Sequence, residues 1–208
     1  LVTNGVRFSV NAGRTFALDN QFMCCGTNNT LTLENGAIII EHRQNPYAFY
    51  FGHAFAENPG VSTNNTIILR GAQPKVWVSD KSGAAQLQVQ NTHMIIELDP
   101  DNLYTEPVFK SQGAAYLSNN CTAEFRNVEE ARAAIIAAEG EGFEPVDVPL
   151  VESTASGISF MNDGDYLYRL NSTLPAGCFV WINTAENKAF LRIGHEDDTL
   201  FDGGCGSQ

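Results

Sequence analysis

Basic residues are scarce in this chain. Lysine and arginine together number 12 against 24 aspartates and glutamates, which gives a formal net charge of −12 at pH 7. A surface with this balance repels phosphate backbones and anionic lipid headgroups. The composition therefore argues against nucleic acid as a partner, and it disfavours polyanionic substrates unless calcium or a local arginine cluster intervenes.

Long apolar runs and catalytic signatures are also missing. No window approaches the roughly 18 consecutive apolar residues of a membrane span. The chain contains no GxSxG, HExxH, Walker or dinucleotide-binding motif, so sequence patterns alone indicate no enzyme class. Charged residues make up only 17% of the 208 positions and apolar residues 43%, which excludes a disordered chain.

The five cysteines show neither a CxxC pair nor the spacing of a zinc site. In an oxidising compartment the first disulfide to expect is Cys178–Cys205, because it would anchor the C-terminal tail. Cys24 or Cys25 could also bond to Cys121. The alternative is that the cysteines are small apolar side chains of the core.

What the chain does have is a repeated pattern of paired β-strands between residues 29 and 99. The segments NTLTLENGAIIIEH, NNTIILRGAQPKVWVSD and AQLQVQNTHMIIELD each contain two apolar strands around a corner. Asn35, Gly71 and Asn91 align as the corner residues, because asparagine and glycine tolerate the left-handed backbone of a sharp bend. Stacked strand pairs bury a shared core, which predicts a β-solenoid, with a β-sandwich as the alternative.

This pattern resembles the right-handed parallel β-helix superfamily, also called pectate-lyase-like, in which asparagine or glycine stacks at a corner between strands. The resemblance covers residues 30–99 and is one of shape. The superfamily includes lyases, hydrolases, phage tailspikes and bacterial surface adhesins. The resemblance therefore implies a fold and leaves the function open.

The fold class expected is mainly β, a single-chain parallel β-helix with one short helix and a C-terminal antiparallel meander. The predicted domains are a solenoid over residues 1–127, a helix and linker over 128–156, and a meander or cap over 157–208. The proline and glutamate content of residues 139–157 indicates the linker. Four short strands with tight turns are expected over residues 157–194.

One helix is predicted from Val128 to Glu139. Asn127 precedes it as an N-cap, and Glu130 follows three residues later as in a capping box. Gly140 stands where a helix would end. Asn127 could alternatively be a fourth corner residue.

Glu34 and Arg70 are the candidate catalytic pair. Counting back from the corners, Glu34, Arg70 and Gln90 share one position of the repeat, so parallel strands would place the first two about 4.8 Å apart. Such a pair could act as a base and a substrate clamp, with Glu124 as a further carboxylate. The alternative is an exposed ion pair of under about 1 kcal/mol.

Two other groups could bind ligands. Imidazoles and aromatic rings concentrate between residues 42 and 53, where they could contact a glycan or could belong to the core. This candidate ligand-binding group comprises His42, Arg43, Tyr47, Tyr50 and His53. No cofactor is expected apart from calcium, which an acidic loop near the C-terminus could hold through Asp197, Asp198 and Asp202.

The first functional hypothesis is a secreted or cell-surface solenoid module for adhesion, carbohydrate binding or structure, with a glycan or a surface protein as partner. The alternatives are a polysaccharide lyase or hydrolase on the same fold, or a segment of a phage tailspike or fibre that forms an oligomer. Asn28, Asn64, Asn120 and Asn171 satisfy the glycosylation acceptor rule. In a chain so rich in asparagine and threonine, these matches carry little weight.

Overall fold

A computed structural model of the chain describes residues 2–11, 13–42, 47–53, 62–80, 85–117, 120–154, 157–160 and 166–198. Its strands and helices, in chain order, are β1 (Val2–Thr3), β2 (Arg7–Val10), β3 (Thr15–Leu18), β4 (Phe22–Cys25), β5 (Thr30–Glu34), β6 (Ala37–His42), β7 (Tyr47–His53), β8 (Asn65–Arg70), β9 (Lys75–Asp80), β10 (Gln86–Val89), β11 (Thr92–Glu97), β12 (Phe109–Ser111), β13 (Ala115–Leu117), β14 (Thr122–Arg126), α1 (Val128–Glu139), β15 (Val146–Ser153), β16 (Ile158–Phe160), α2 (Tyr166–Asn171), β17 (Cys178–Asn183) and β18 (Lys188–Ile193).

As far as β16, the strands join three sheets in rotation, so that every third strand along the chain enters the same sheet; β17 and β18 then both join the sheet of β15. Sheet A has the order β1-β4-β7-β10-β13-β16, sheet B the order β2-β5-β8-β11-β14, and sheet C the order β3-β6-β9-β12-β15-β18-β17. The ladders are parallel except where β18 pairs with β15 and with β17. This mainly β architecture with parallel sheets is compatible with the β-helix-like fold that the sequence resembles.

Alternation along the strands explains the core. In sheet B, Leu31, Ile67 and Met94 are register partners, and all three are fully buried. Their chain neighbours point to the other face of the sheet and are partly exposed. Buried side chains from all three sheets form one hydrophobic cluster.

Left-handed residues mark two kinds of corner. At the corners between sheets A and B, the left-handed residues are Asn4, Gly5, Gly26, Asn28, Asn64, Asn91 and Asn120; at the corners between sheets B and C, they are Gly13, Asn35, Gly71 and Asn127. All of them have φ between 46° and 86°, the region that asparagine and glycine tolerate best. The stacked corners thus follow from residue types that the sequence repeats.

The predicted alignment of Asn91 with Asn35 and Gly71 is wrong. Thr92 pairs with Asn65, so Asn91 stacks on Asn64 at the other kind of corner. The partner of Arg70 on β11 is consequently Glu97 rather than Gln90. The error has a physical cause. Asparagine adopts the same left-handed conformation at both kinds of corner, so the residue type alone does not show which corner it occupies.

The predicted helix is confirmed over Val128–Glu139, but the predicted capping box is not. Asn127 has φ 60° and its side chain makes no capping bond to the helix. Its Nδ2 donates instead to the carbonyl of Leu98, 3.0 Å away. Asn127 is therefore a corner residue as well as the residue before the helix, and the Gly140 N–H closes the last turn on the Ile136 carbonyl.

The C-terminal part differs from the prediction in two elements. The predicted linker contains the eight-residue strand β15, and the register of its pairing with β18 shifts directly after Pro149. The predicted strand DYLYRLN contains the helix α2, whose last residue, Asn171, bonds to both the N–H and the carbonyl of Val180. The meander is therefore reduced to the β17–β18 hairpin and its antiparallel pairing with β15, whereas β16 pairs parallel with β13.

The predicted domain boundaries stay a prediction. None of the helices that the structure describes has the length and apolar character needed to cross a membrane.

Candidate functional site

A groove runs along the outer face of sheet C beside Trp77. It has a volume of about 300 Å³. Its lining includes Ile39, Glu41, Trp77, Ser79, Lys110 and Gln112. We call it the Trp77 groove. A second hollow of about 460 Å³ shares Ile39 and Glu41 with it and continues to Asp19, the residue directly after β3.

Strand alternation places Trp77 in this groove. Val76 and Val78 point into the core and are buried, so Trp77 between them must point outward. Parallel pairing then sets Ile39 on one side of Trp77 and Lys110 on the other. The groove therefore has an aromatic ring in its wall with an aliphatic neighbour and a cationic one.

The Trp77 ring is held in one orientation. Its Nε1–H donates to the carbonyl of Pro107 at 2.9 Å. The Nζ atoms of Lys75 and Lys110 lie 4.5 Å and 5.5 Å from the ring centroid, which is the range of cation–π attraction. A ring fixed in this way loses little conformational entropy when a ligand stacks on it.

The cations at the groove are neutralised. Lys75 forms an ion pair with Glu106, and Lys110 forms one with Glu152 at 3.0 Å. Glu41, an exposed residue, adds a further carboxylate to the lining. Negative charge therefore exceeds positive charge around the groove, which suits an uncharged ligand better than an anionic one.

Glu34 and Arg70 lie on a different surface, the outer face of sheet B. The structure confirms that they are register partners, with Arg70 Nη2 2.9 Å from Glu34 Oε2. Both side chains are nearly half exposed, at 44% for Arg70 and 48% for Glu34. An exposed pair of this kind contributes under about 1 kcal/mol to stability. Its catalytic role stays a prediction.

Glu124 is held by two neighbours on sheet B. Arg126 Nε donates to Glu124 Oε1 at 2.6 Å, and His93 Nε2 lies 3.5 Å from Glu124 Oε2. The hydrogen bond from Arg126 is the main reason why the pKa of Glu124 lies below its usual value. A carboxylate that stays ionised is a poor proton donor near neutrality, so this geometry does not favour Glu124 as a general acid.

The predicted aromatic group is only partly on the surface. Tyr50 is 6% exposed, and its ring lies 5.2 Å from that of His53, which is partly buried. His42 ends β6 and Tyr47 begins β7, while Arg43 lies outside the described residues. A buried Tyr50 ring presents little area to a sugar, and a glycan contact by this group stays a prediction.

In the acidic loop, Asp198 already has a partner within the chain. Its Oδ2 accepts the N–H of His195 at 2.8 Å. Asp202 lies outside the described residues. Within the described part of the chain, no three histidine, cysteine, aspartate or glutamate side chains are grouped so that they could hold a metal. Calcium binding by Asp197, Asp198 and Asp202 stays a prediction.

The cysteines that the structure describes are buried. No disulfide joins Cys24, Cys25, Cys121 or Cys178 to another described residue, and Cys205 lies outside the described range. Burial raises the pKa of the Cys24 thiol to about 11 and raises those of Cys25 and Cys178 as well. The thiols of Cys24, Cys25 and Cys178 therefore stay protonated at neutral pH.

Trp77 is the residue that the sequence analysis missed. The signal was present in KVWVSD, where a tryptophan alternates with two valines on a predicted strand. Since the valines mark the buried face, the tryptophan had to face outward.

Comparison with family models, with curated proteins and with solved structures finds no match for this chain.

Proposed function

We propose that the chain is a parallel β-helix module of the pectate-lyase-like type that binds an uncharged glycan in the Trp77 groove, as part of a secreted or cell-surface protein. The rotation of strands through three sheets and the stacked left-handed corners support this fold. The observation that carries the function is the outward Trp77 ring in the wall of a groove on the outer face of sheet C.

A sugar ring has the two properties that this groove matches. Its C–H faces stack on aromatic rings by apolar contact, and its hydroxyls need donors and acceptors around the edge. Ser79 and Gln112 line the groove beside Trp77, and Glu41 adds an acceptor. An apolar face with a polar rim therefore lies within reach of one ligand.

The charges around the Trp77 groove favour neutral glycans over anionic ones. The two lysines beside Trp77 are already paired with carboxylates, and the whole chain carries a net charge of −12. A uronate or a sulfated sugar would gain little from paired lysines and would be repelled by the remaining carboxylates. The proposal is therefore specific to neutral polysaccharides.

The test is retention on immobilised neutral polysaccharides, namely glucan, mannan, xylan and chitin, with pectate as the charged counterpart. Trp77→Ala should weaken retention on a neutral polysaccharide about tenfold or more, which corresponds to about 1.4 kcal/mol. Tyr116→Ala is the matched control, since Tyr116 is an exposed aromatic residue on sheet A. Binding should change little between low and high salt because no charge pairing is involved.

Three results would count against the proposal. Retention on none of the neutral polysaccharides would remove the glycan function. Equal loss of retention in Trp77→Ala and Tyr116→Ala would show that the Trp77 groove is not the glycan-binding site, provided that both variants unfold at the wild-type temperature. Release of shortened chains from the polysaccharide would support the lyase or hydrolase alternative instead.

A further inference from the structure

A second aromatic surface lies further along the outer face of sheet C. Trp181 on β17 and Phe190 on β18 are register partners, and their rings stack at 5.0 Å with an interplanar angle of 22°. Both side chains are partly exposed. We call them the Trp181 platform.

The Trp181 platform and Trp77 point to the same side of the sheet. On β18, Ala189, Leu191 and Ile193 are fully buried and face the core, so Phe190 between the first two faces outward. Trp181 pairs with Phe190 and shares its face. Because adjacent strands are about 4.8 Å apart, Phe190 lies three strands, or about 14 Å, from Trp77 in the direction across the strands. Trp77 is in line with Lys188, so Phe190 is also displaced by two residues along its strand, and Trp181 lies one strand further.

The Trp181 ring is also fixed before any ligand arrives. Its Nε1–H donates to Asp147 Oδ1 at 3.0 Å, and the Arg192 guanidinium lies 5.3 Å from the ring centroid. Arg192 in turn makes two hydrogen bonds to Asp147, at 2.8 Å and 2.6 Å. The platform therefore combines a rigid ring with polar groups at its edge, which is the combination found at Trp77.

The surface between the two rings is polar and its cations are paired. Lys110, Glu152 and Lys188 lie side by side on β12, β15 and β18. Lys110 forms an ion pair with Glu152, and Lys188 forms one with Glu186 at 3.1 Å. Such a strip offers hydrogen-bonding groups to hydroxyls and no excess positive charge to an anion.

We propose that the Trp181 platform is a second subsite for the same glycan chain, so that the protein binds an extended internal segment of a neutral polysaccharide laid across the strands of sheet C. This inference rests on the proposed glycan function. It adds a requirement on ligand length, since one sugar can occupy Trp77 alone and only an oligosaccharide can reach both rings.

The chain contains two tryptophans, one in each subsite, which allows each to be observed separately. Trp77→Phe leaves Trp181 as the only indole, and Trp181→Phe leaves Trp77, while both variants keep an aromatic ring in place. The probes are disaccharides and hexasaccharides of the gluco-, manno-, xylo- and chito- series. In Trp181→Phe, the emission of Trp77 should respond to both lengths; in Trp77→Phe, the emission of Trp181 should respond to the hexasaccharide alone.

Affinity gives a second readout. Trp181→Ala should weaken binding of the responding hexasaccharide about tenfold and leave the disaccharide unchanged, whereas Trp77→Ala should weaken both. Phe190→Leu, which keeps an apolar group in the hairpin, should act in the same direction as Trp181→Ala if the latter fails to fold. A silent Trp181 at saturating hexasaccharide, or equal affinity for the two lengths, would overturn the second subsite while leaving Trp77 in place. Absence of any response from Trp77 would overturn the proposed function itself.

Discussion

Asn65 connects two neighbouring turns of the chain from inside the corner between sheets A and B, and its replacement by alanine should be strongly destabilising. Its side chain is 1% exposed. Oδ1 accepts the Asn29 N–H at 3.0 Å and the Asn29 Nδ2–H at 3.1 Å, while Nδ2 donates to the Gly26 carbonyl at 2.9 Å and to Ser62 Oγ at 3.0 Å. Alanine removes all four hydrogen bonds at once.

The size of the effect depends on which groups keep another partner. The Gly26 carbonyl still accepts from Ser62 Oγ, and Asn29 Nδ2 still donates to the Cys25 carbonyl. The buried Asn29 N–H loses its acceptor, and an orphaned group of this kind costs about 1–3 kcal/mol. With the other lost bonds, Asn65→Ala should lower the free energy of unfolding by roughly 2–4 kcal/mol.

The measurement is urea unfolding followed by circular dichroism. Thr66→Ala is the control, since Thr66 follows directly on the same strand but points outward and is partly exposed. It should change the free energy of unfolding by no more than about 0.5 kcal/mol. A loss below about 1 kcal/mol for Asn65→Ala, or equal losses in the two variants, would refute the reasoning from buried hydrogen bonds.

Two further perturbations test the core. Ile67→Ala should lower the free energy of unfolding in urea by about 2–5 kcal/mol because Ile67 is fully buried. Ile68→Ala, one residue along on the outer face, should lower it clearly less. Equal losses would contradict the orientation of the strand. The raised pKa of Cys24 contributes stability that is complete below pH 9.0 and is lost as the pH rises through about 11. Cys24→Ala should therefore flatten the fall in the free energy of unfolding over that range, and an unchanged slope would disprove the contribution.

The features that could be predicted from the sequence are those set by a short period. The apolar strands on either side of Asn35 and Gly71 were predicted from their composition, and the pairing of Glu34 with Arg70 followed from counting back to a shared corner. The alanine-rich helix was predicted at its observed bounds because local propensity and a terminal glycine agreed.

The features that could not be predicted depend on contacts distant in sequence. Tyr166 belongs to a helix whose residues alternate like a strand, and its hydroxyl accepts the Ala123 N–H at 2.9 Å. The strand β15 pairs with β12 and with β18, and nothing in its proline-interrupted sequence shows either neighbour. The Trp77 groove requires three strands from separate parts of the chain, so only the outward direction of the ring was readable in advance.

The sequence repeat is clearest at the corners between sheets A and B, where the tripeptides are NNT, NNT and NCT. Asn28, Asn64 and Asn120 begin them and have φ of 59°, 56° and 61°. The second residue points into the corner and donates to a carbonyl one coil earlier in the chain: Asn65 Nδ2 to Gly26, and Cys121 Sγ to Val89 at 3.2 Å. The threonine that follows begins the next strand or lies next to its first residue, on the outer face.

Each position of this tripeptide thus has a folding reason. The first needs a left-handed backbone, the second a small buried donor, and the third a β-branched residue on a strand. NTH at Asn91 meets the first two requirements with threonine as the donor, through Thr92 Oγ1 to the Gln90 carbonyl at 2.5 Å. The fold alone therefore explains why the tripeptides beginning at Asn28, Asn64 and Asn120 match the glycosylation acceptor rule.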